Sequence, residues 1–404
     1  MKVRIEKSTA CGKVCAPPSK SMAHRMLIAA ALASGESHVE GISSCEDVLA
    51  TIDCLRELGA TIEYDGDRVT VFGTDPRKSA AKLPLNARES GSTLRFLIPI
   101  ALLSGNDTSF IGAGRLMERP MTIYERLCCD SGLGYQNDGK KITVKGSLKG
   151  GDIYLEGNIS SQFISGLLFA LPLCKEDSRI HITTKIESTS YIELTRSALS
   201  LFGVRVIWES ERVLYIPGNQ EYRPTDVSVE GDYSGTAFID ALGIFGGSVE
   251  IDGLSEYSLQ GDRVYKEHFN ALAHGTPTIS IEDCPDLGPI LFTVAAAKFG
   301  GHFTDTKRLK IKESDRAEAM ATELRKFGAD ITVSENSVTV KAKELHEPTE
   351  ILSGHNDHRI VMSLATLATL YGGVIDGAEA VKKSYPDFFR DIIHLGIKAQ
   401  IYET

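Results

Sequence analysis

Apolar and polar positions along the chain follow one pattern that recurs six times. In each copy an apolar helical segment ends at a glycine, and a short segment of alternating polarity, typical of a strand, follows at once. Glycine is the usual residue after a helix end because it adopts left-handed backbone conformations without steric cost. The recurrence indicates duplication of one structural unit. The glycines, 53 to 75 residues apart, are Gly59, Gly134, Gly203, Gly275, Gly328 and Gly396.

A second landmark runs in step with the first. Each copy also opens with small polar residues, the types that cap helix N-termini, followed by a helix that is apolar on nearly all sides. The pattern predicts units of strands and two helices, hence a mixed α/β protein. An ordinary doubly wound sheet is the alternative, but neither nucleotide-binding glycine motif of such folds occurs. The openings read SKSMAHRM, ESGSTLRF, NISSQFIS, GDYSGTAF, DCPDLGPI and HNDHRIVM.

The composition of the chain bears on which partners the protein can bind. The 404-residue chain carries a formal net charge of −10, which disfavours binding to nucleic acid but allows a few bases in a cleft to hold small anions. No apolar run is long enough for a membrane helix, and the N-terminus lacks the apolar core of a signal peptide. The eight cysteines have no metal-binding spacing. We therefore expect a cytoplasmic protein with reduced thiols.

The capped helix starts are candidate anion sites. A helix N-terminus carries partial positive charge and unsatisfied N–H donors. Several openings also carry a base in or beside the first turn, namely Lys20, Arg25, Arg95 and Arg359. The alternative for each base is a pairing with a nearby surface carboxylate. If the units surround one cleft, the bases indicate a multiply charged ligand.

Three further segments contain candidate binding or catalytic residues. The polar side chains of residues 158–162 either cradle a phosphate or simply cap a helix. Asp286 lies in a proline-constrained turn, where it is either a general base or a helix cap. Glu313 and Arg316 are three residues apart, so they share a face, either as an acid–base group beside a cation or as a solvated first turn.

The ordered set of these motifs resembles the EPSP synthase family of enolpyruvyl transferases over essentially the whole chain. No single motif is decisive, but their order is specific. His358 is equally consistent with a packing residue and with a residue that supports the groups in contact with the ligand. Asp357 is interpreted as a residue that orients its neighbours. The motifs are Ser-Lys-Ser-x-x-x-Arg, Gly-Ser-x-x-Arg, Arg-Pro, Ser-Ser-Gln, Pro-Asp, Lys-Glu-x-Asp-Arg, Asn-Asp-His-Arg and Lys-Ser-Tyr-Pro-Asp.

The resemblance implies a fold of two similar lobes, each of three βαβαββ units, known as an inside-out α/β barrel. One lobe spans about residues 18–229, and the other combines residues 1–17 with residues 230–404. The helix N-termini of both lobes are expected at a shared cleft, which closes around the substrates and excludes water.

The resemblance also implies a reaction. The enolpyruvyl group of phosphoenolpyruvate moves to the 5-hydroxyl of shikimate 3-phosphate by addition and elimination, within the shikimate pathway of chorismate and aromatic amino acid synthesis. The implied partners are these two small molecules, with no nucleic acid, membrane, metal or organic cofactor. A cytoplasmic monomer is expected.

By position, the resemblance assigns roles to individual residues. The implied catalytic groups are Asp286, Glu313 and Lys20. Shikimate 3-phosphate is expected at Lys20, Ser21, Arg25, Ser160, Ser161, Gln162, Ser188, Tyr191, Asp286 and Lys312. Phosphoenolpyruvate is expected at Lys20, Gly91, Arg119, Gln162, Arg316, Arg359 and Lys383.

The chain departs from the family pattern around the expected phosphoenolpyruvate pocket. The segment Glu89–Ser92 replaces a common Asn-Ala-Gly-Thr, Phe96 replaces a proline, and Pro18 replaces a glycine. Two alternatives remain. The sister transferase acting on UDP-N-acetylglucosamine usually has Lys-Asn at Lys20-Ser21 and a reactive cysteine before Arg119, and this chain has neither. A non-catalytic six-repeat binding protein would spread its bases evenly.

Overall fold

The computed structural model describes residues 1–402, and six apolar helices begin at the polar openings. They are Lys20–Leu32, Gly91–Ala101, Ser161–Ala170, Tyr233–Ile244, Gly288–Ala297 and His358–Tyr371. In chain order the α-helices are α1 (Lys20–Leu32), α2 (Glu46–Glu57), α3 (Gly91–Ala101), α4 (Thr122–Asp130), α5 (Ser161–Ala170), α6 (Thr189–Leu201), α7 (Tyr233–Ile244), α8 (Tyr265–His274), α9 (Gly288–Ala297), α10 (Arg316–Lys326), α11 (His358–Tyr371) and α12 (Phe388–His394).

The strands are short and alternate in polarity, as the sequence predicts. In chain order they are β1 (Lys2–Ile5), β2 (Cys11–Cys15), β3 (Gly35–Glu40), β4 (Thr61–Asp65), β5 (Arg68–Gly73), β6 (Leu85–Asn86), β7 (Thr108–Ile111), β8 (Gly134–Asn137), β9 (Lys141–Lys145), β10 (Gly151–Leu155), β11 (Ser178–Ile182), β12 (Ile207–Ser210), β13 (Val213–Ile216), β14 (Val227–Ser228), β15 (Ser248–Asp252), β16 (Thr278–Ser280), β17 (Gly300–Thr304), β18 (Asp330–Val333), β19 (Ser337–Lys341), β20 (Leu352–Ser353), β21 (Gly373–Asp376) and β22 (Ala399–Tyr402).

One sheet topology recurs along the chain. In β6-β7-β9-β8 the first pair is parallel and the next two pairs are antiparallel. The same order of pairings occurs in β10-β11-β13-β12, β14-β3-β5-β4, β16-β17-β19-β18 and β20-β21-β1-β22. In the described residues the sixth sheet has only the parallel pair β15-β2. The recurrence confirms the mixed α/β prediction.

The chain divides into two units with separate hydrophobic cores. The unit Lys20–Glu230 contains three of the four-stranded sheets and the helices α1 to α6. The second unit combines Met1–Ser19 with Gly231–Thr404 and contains the other sheets and α7 to α12. In α5 and α9 nearly every side chain is buried, which explains why these helices are apolar all round. We call the two parts the N-unit and the C-unit.

The glycines after the helices only partly follow the prediction. Gly59, Gly203, Gly328 and Gly396 have positive φ angles of 79° to 103°, as a left-handed helix end requires. Gly134 instead begins β8, and the left-handed residue after α4 is Gly132, at 67°. The chain therefore leaves α4 two residues earlier than the sequence spacing predicts.

Candidate active site

In the N-unit, the first turns of α3 and α5 lie against each other. The Arg95 guanidinium donates from Nη1 to Gln162 Oε1 at 2.7 Å, and Gln162 Nε2 donates to Ser92 Oγ at 3.0 Å. A Cβ built on Gly91 would lie 2.9 Å from Arg119 Nη1 and 3.5 Å from Gln162 Oε1. Gly91 therefore allows Arg119 to pack directly on the helix backbone. The structure therefore brings together four predicted anion-binding groups, namely Gly91, Arg95, Arg119 and Gln162.

The start of α5 is capped, and its polar side chains are partly or fully buried. Ser160 Oγ caps the helix by accepting from the Gln162 N–H at 3.3 Å, so the capping role is real. Ser161 is the first helical residue and is almost fully buried. Ser188, before α6, is buried with a positive φ of 57°, an uncommon conformation for a serine. Such strain occurs at binding sites when the surrounding structure maintains it.

Arg25 is buried on the inner face of α1. Its Nε donates to Thr195 Oγ1 at 2.8 Å, and its Nη atoms donate to the carbonyls of Ser21 and Tyr191 at 2.7 and 3.0 Å. Its guanidinium lies 5.1 Å from the centre of the Phe96 ring. Desolvation lowers the Arg25 pKa to about 10, so the side chain stays charged at neutral pH. Phe96, the departure from the family pattern, is thus a stacking partner of Arg25.

Lys20 opens α1 and pairs with a carboxylate that the sequence analysis did not identify. Its Nζ lies 2.7 Å from Asp47 Oδ2, and both side chains are largely buried. Asp47 is in the first turn of α2, where an acidic residue is ordinary, so nothing in the sequence distinguished it. The pairing holds the Lys20 ammonium at the start of α1.

In the C-unit, Asp286 is surrounded by cations. Its Oδ1 accepts from Lys312 Nζ at 3.1 Å and Arg316 Nη1 at 2.8 Å, and its Oδ2 accepts from Arg359 Nη2 at 3.0 Å. Burial alone raises the pKa of Asp286, but these three cations outweigh burial and hold the pKa well below its usual range. Both carboxylate oxygens of Asp286 therefore contact cations, and Leu287, the residue at the N-cap position of α9, has no side-chain capping bond.

Arg316 joins the acidic groups of the C-unit. Its Nη2 lies 2.6 Å from Glu313 Oε2, and its Nε lies 2.8 Å from Asp357 Oδ2. The guanidinium is 1% exposed, so the solvated-turn alternative is wrong. Desolvation lowers the pKa of Arg316, but the carboxylates of Asp357, Glu313 and Asp286 raise it by more than burial lowers it. The guanidinium therefore stays charged.

The Asp357 carboxylate contacts the first residue of α10 and also caps α11. Besides Arg316, it accepts from Ser314 Oγ at 3.0 Å and from the Arg359 N–H at 3.0 Å, which caps α11. The cap places the Arg359 side chain beside Asp286. His358, between them, is buried, and its Nδ1 lies 4.0 Å from Asp357 Oδ1. The predicted orienting role of Asp357 agrees with these contacts.

The loop before α11 is held by side chains from two other elements. His355 and Asn356 both have positive φ angles, 48° and 52°. Lys383 Nζ donates to the Asn356 carbonyl at 2.6 Å. His355 Nε2 lies 2.8 Å from Oε1 of Glu323, a buried carboxylate on α10. Sequence analysis missed Glu323, because one acidic residue within an amphipathic helix carries no signal.

Two further findings within residues 1–402 concern metal binding and membrane spans. No group of three or more His, Cys, Asp or Glu side chains there is arranged to hold a metal ion. None of the helices in this range has the length and apolar character needed to cross a membrane.

Comparison with known proteins identifies the family that contains these two clusters, the N-unit residues around Gly91 and the C-unit residues around Asp286. Residues 6–392 match the family model described as EPSP synthase (3-phosphoshikimate 1-carboxyvinyltransferase). The 3-phosphoshikimate 1-carboxyvinyltransferases of Clostridium perfringens and Clostridium kluyveri are 41% and 40% identical, with 98% and 95% of each chain covered. An EPSP synthase structure from Acinetobacter baumannii covers both chains fully with a TM-score of 0.80 at 23% identity. These matches favour the EPSP synthase resemblance over the two alternatives, the transferase acting on UDP-N-acetylglucosamine and a non-catalytic six-repeat protein.

Proposed function

Because the chain belongs to the EPSP synthase (3-phosphoshikimate 1-carboxyvinyltransferase) family, we propose that its two residue clusters perform the transfer of the enolpyruvyl group from phosphoenolpyruvate to the 5-hydroxyl of shikimate 3-phosphate. The observation that carries the proposal is Arg316. A single buried guanidinium binds both Asp286 and Glu313, the two carboxylates assigned to proton transfer. A substrate anion that binds this guanidinium therefore changes the electrostatics of both groups.

The binding roles follow the chemistry of each cluster. Hydroxyl and amide groups at a helix start suit the ester phosphate, and guanidinium groups suit carboxylate and phosphate because their planar fork donates to two oxygens. We assign shikimate 3-phosphate to Lys20, Ser21, Arg25, Ser160, Ser161, Gln162, Ser188, Tyr191, Asp286 and Lys312. We assign phosphoenolpyruvate to Lys20, the backbone at Gly91, Arg119, Gln162, Arg316, Arg359 and Lys383.

In the addition step, the 5-hydroxyl oxygen forms a bond to C2 of phosphoenolpyruvate. The hydroxyl proton passes to Asp286, and Glu313, in its acid form, delivers a proton to the methylene carbon. Lys20 is the third group that we assign to catalysis. The product is a tetrahedral, phosphate-bearing intermediate. Cations around the developing charge supply the main stabilisation, about 3 kcal/mol for one such group.

In the elimination step, the bond from C2 to the phosphate oxygen breaks and phosphate leaves. Glu313 takes back one proton from the methyl group, which restores the double bond. The leaving phosphate takes the proton held by Asp286, so both carboxyl groups return to their starting states. Atoms and charges then balance without an external oxidant or reductant.

The structure adds a condition to the role of Asp286. With its pKa held well below the usual range, Asp286 is a weak base while Lys312, Arg316 and Arg359 bind it. Substrate anions that draw these cations away raise the basicity of Asp286. Its basicity thus depends on substrate binding, which limits proton transfer to the loaded enzyme.

The test is phosphate release from phosphoenolpyruvate with and without shikimate 3-phosphate. Release that requires shikimate 3-phosphate supports the proposal, and release that ignores it, or no release, refutes it. The variant Glu313→Gln should retain binding of both substrates and turn over at least about a hundredfold more slowly, in line with the contribution of general acid–base catalysis. Normal turnover would remove Glu313 from the mechanism.

We also propose a monomer that resides in the cytoplasm and does not bind nucleic acid. All eight cysteines are free thiols, which suits a reducing compartment. The net charge of −10 opposes binding to a phosphate backbone. Sedimentation of the purified protein tests the monomer, and fractionation of cells tests the location.

A further inference from the structure

Asp262 is a buried carboxylate next to the C-unit cluster that no assigned role uses. It lies in a short 3-10 turn, Gly261–Val264, and only 4% of the residue is exposed. Gln260 fixes this turn to the start of α7, because its Oε1 accepts from the Tyr233 N–H at 3.0 Å and its Nε2 donates to the Gly231 carbonyl at 2.8 Å. The position of Asp262 relative to the first turn of α7 is therefore set by neighbouring hydrogen bonds.

Ser234, in that first turn, connects Asp262 to Arg359. The Arg359 guanidinium can only donate, and its Nη1 donates to Ser234 Oγ at 2.7 Å. The serine hydroxyl hydrogen is then available to an acceptor, and the Asp262 carboxyl is hydrogen-bonded to this hydroxyl. The direction of both bonds is consistent: Arg359 donates to Ser234, and Ser234 donates to Asp262.

We propose that Asp262 is a positioning residue that acts through Ser234 to hold the Arg359 guanidinium in the orientation that binds phosphoenolpyruvate. The inference rests on the proposed role of Arg359. Arg359 also donates from Nη2 to Asp286 Oδ2 and from Nη1 to the Asp286 carbonyl, at 3.0 and 3.2 Å. A substrate carboxylate that takes the Nη2 position displaces the Asp286 carboxylate, whereas the Nη1 contacts to Ser234 and to the Asp286 carbonyl can persist and orient the guanidinium.

The electrostatics of Asp262 agree with this geometry. Burial, followed by the nearby Asp286 carboxylate, raises the pKa of Asp262 to about 7, while Arg359 and Ser234 act to lower it. Asp286 and Asp262 thus both act on Arg359, the first in direct contact and the second through a hydroxyl. At a pH of about 8 the Asp262 carboxyl is mainly ionised, so the assay is run there.

The test compares Asp262→Asn and Ser234→Ala with the wild-type enzyme. Each variant should raise the KM for phosphoenolpyruvate about tenfold, change kcat less than threefold, and leave the KM for shikimate 3-phosphate unchanged. The double variant should be no worse than the poorer single variant, since both changes break one chain of bonds. Asp376→Asn and Ser178→Ala, an exposed aspartate on β21 and a buried serine on β11, serve as matched controls.

The outcomes separate this inference from the proposed function. If the wild-type enzyme neither releases phosphate nor binds phosphoenolpyruvate by calorimetry in the presence of shikimate 3-phosphate, the proposed function fails. If the wild-type enzyme is active and Asp262→Asn and Ser234→Ala keep its KM for phosphoenolpyruvate, only the inference fails. Additive effects of the two changes would also overturn it. Should Asp262→Asn fail to fold by circular dichroism, Ser234→Ala decides the question.

Discussion

Removal of the Asp357 carboxylate should destabilise the C-unit strongly. Asp357 is fully buried and serves two functions: it pairs with the buried Arg316 guanidinium, and it caps α11. Loss of the cap costs about 1 kcal/mol. Loss of the charge-assisted bonds to Arg316 costs about 2 kcal/mol, toward the low end for a buried pair because Asp286 and Glu313 still neutralise the guanidinium.

The expected loss in free energy of unfolding is therefore about 3 kcal/mol for Asp357→Ala. Asp357→Asn should lose only about 2 kcal/mol, because an asparagine side chain also caps helices and keeps the volume filled. The difference between the two variants measures the cap together with the filled volume. The difference between Asp357→Asn and the wild-type protein isolates the charge.

The assay is urea unfolding, followed by two signals. Far-ultraviolet circular dichroism reports on the helices of both units, and fluorescence reports on Trp208, the single tryptophan, which lies in the N-unit. The variants should shift the circular dichroism transition to lower urea. Asp376→Asn, on an exposed strand position of the same unit, is the control. Equal stability of Asp357→Ala and the wild-type protein would refute the reasoning that Asp357 compensates a buried charge.

Two further predictions concern single groups of the site. Gly91→Ala should raise the KM for phosphoenolpyruvate at least about tenfold in steady-state kinetics, because the new methyl group lies 2.9 Å from Arg119 Nη1; an unchanged KM would contradict the inference that this contact fixes Arg119 for phosphoenolpyruvate binding. Asp286→Asn should lower the free energy of unfolding at neutral pH. Because the pKa of Asp286 is depressed in the folded state, its stabilisation is present above about pH 4 and is lost as the pH falls further. Urea titrations from neutral to acid pH should therefore show the gap to wild type closing below about pH 4, and a gap independent of pH contradicts the depressed pKa.

Sequence periodicity predicted the repeated unit well, because helices that are apolar all round can exist only inside a layer. The helix starts were predictable because capping residues such as Ser160 and Asp357 are local signals. It failed at Gly134, because two glycines two residues apart can each end a helix, and local backbone geometry selected Gly132.

The site was predictable only where a motif carried it. Arg316 and Asp286 stand in distinctive short motifs. Asp47, Asp262 and Glu323 do not, because each acts through a partner distant in the chain, and one sequence does not reveal which elements pack together. The family resemblance supplied roles for substrate-contacting residues, whereas the charges that orient those residues became visible only in the structure.

The central proposal is that Arg119 and Arg359 both bind phosphoenolpyruvate. The most direct measurement is the KM for phosphoenolpyruvate of Arg119→Ala in the N-unit and Arg359→Ala in the C-unit, with the exposed Arg179→Ala and Arg390→Ala as matched controls. Each site variant should raise this KM at least about tenfold, since each loses a charge-assisted contact, and neither control should change it. An Arg119→Ala or Arg359→Ala enzyme with the wild-type KM would show that one of the two clusters does not bind phosphoenolpyruvate, and would contradict the account.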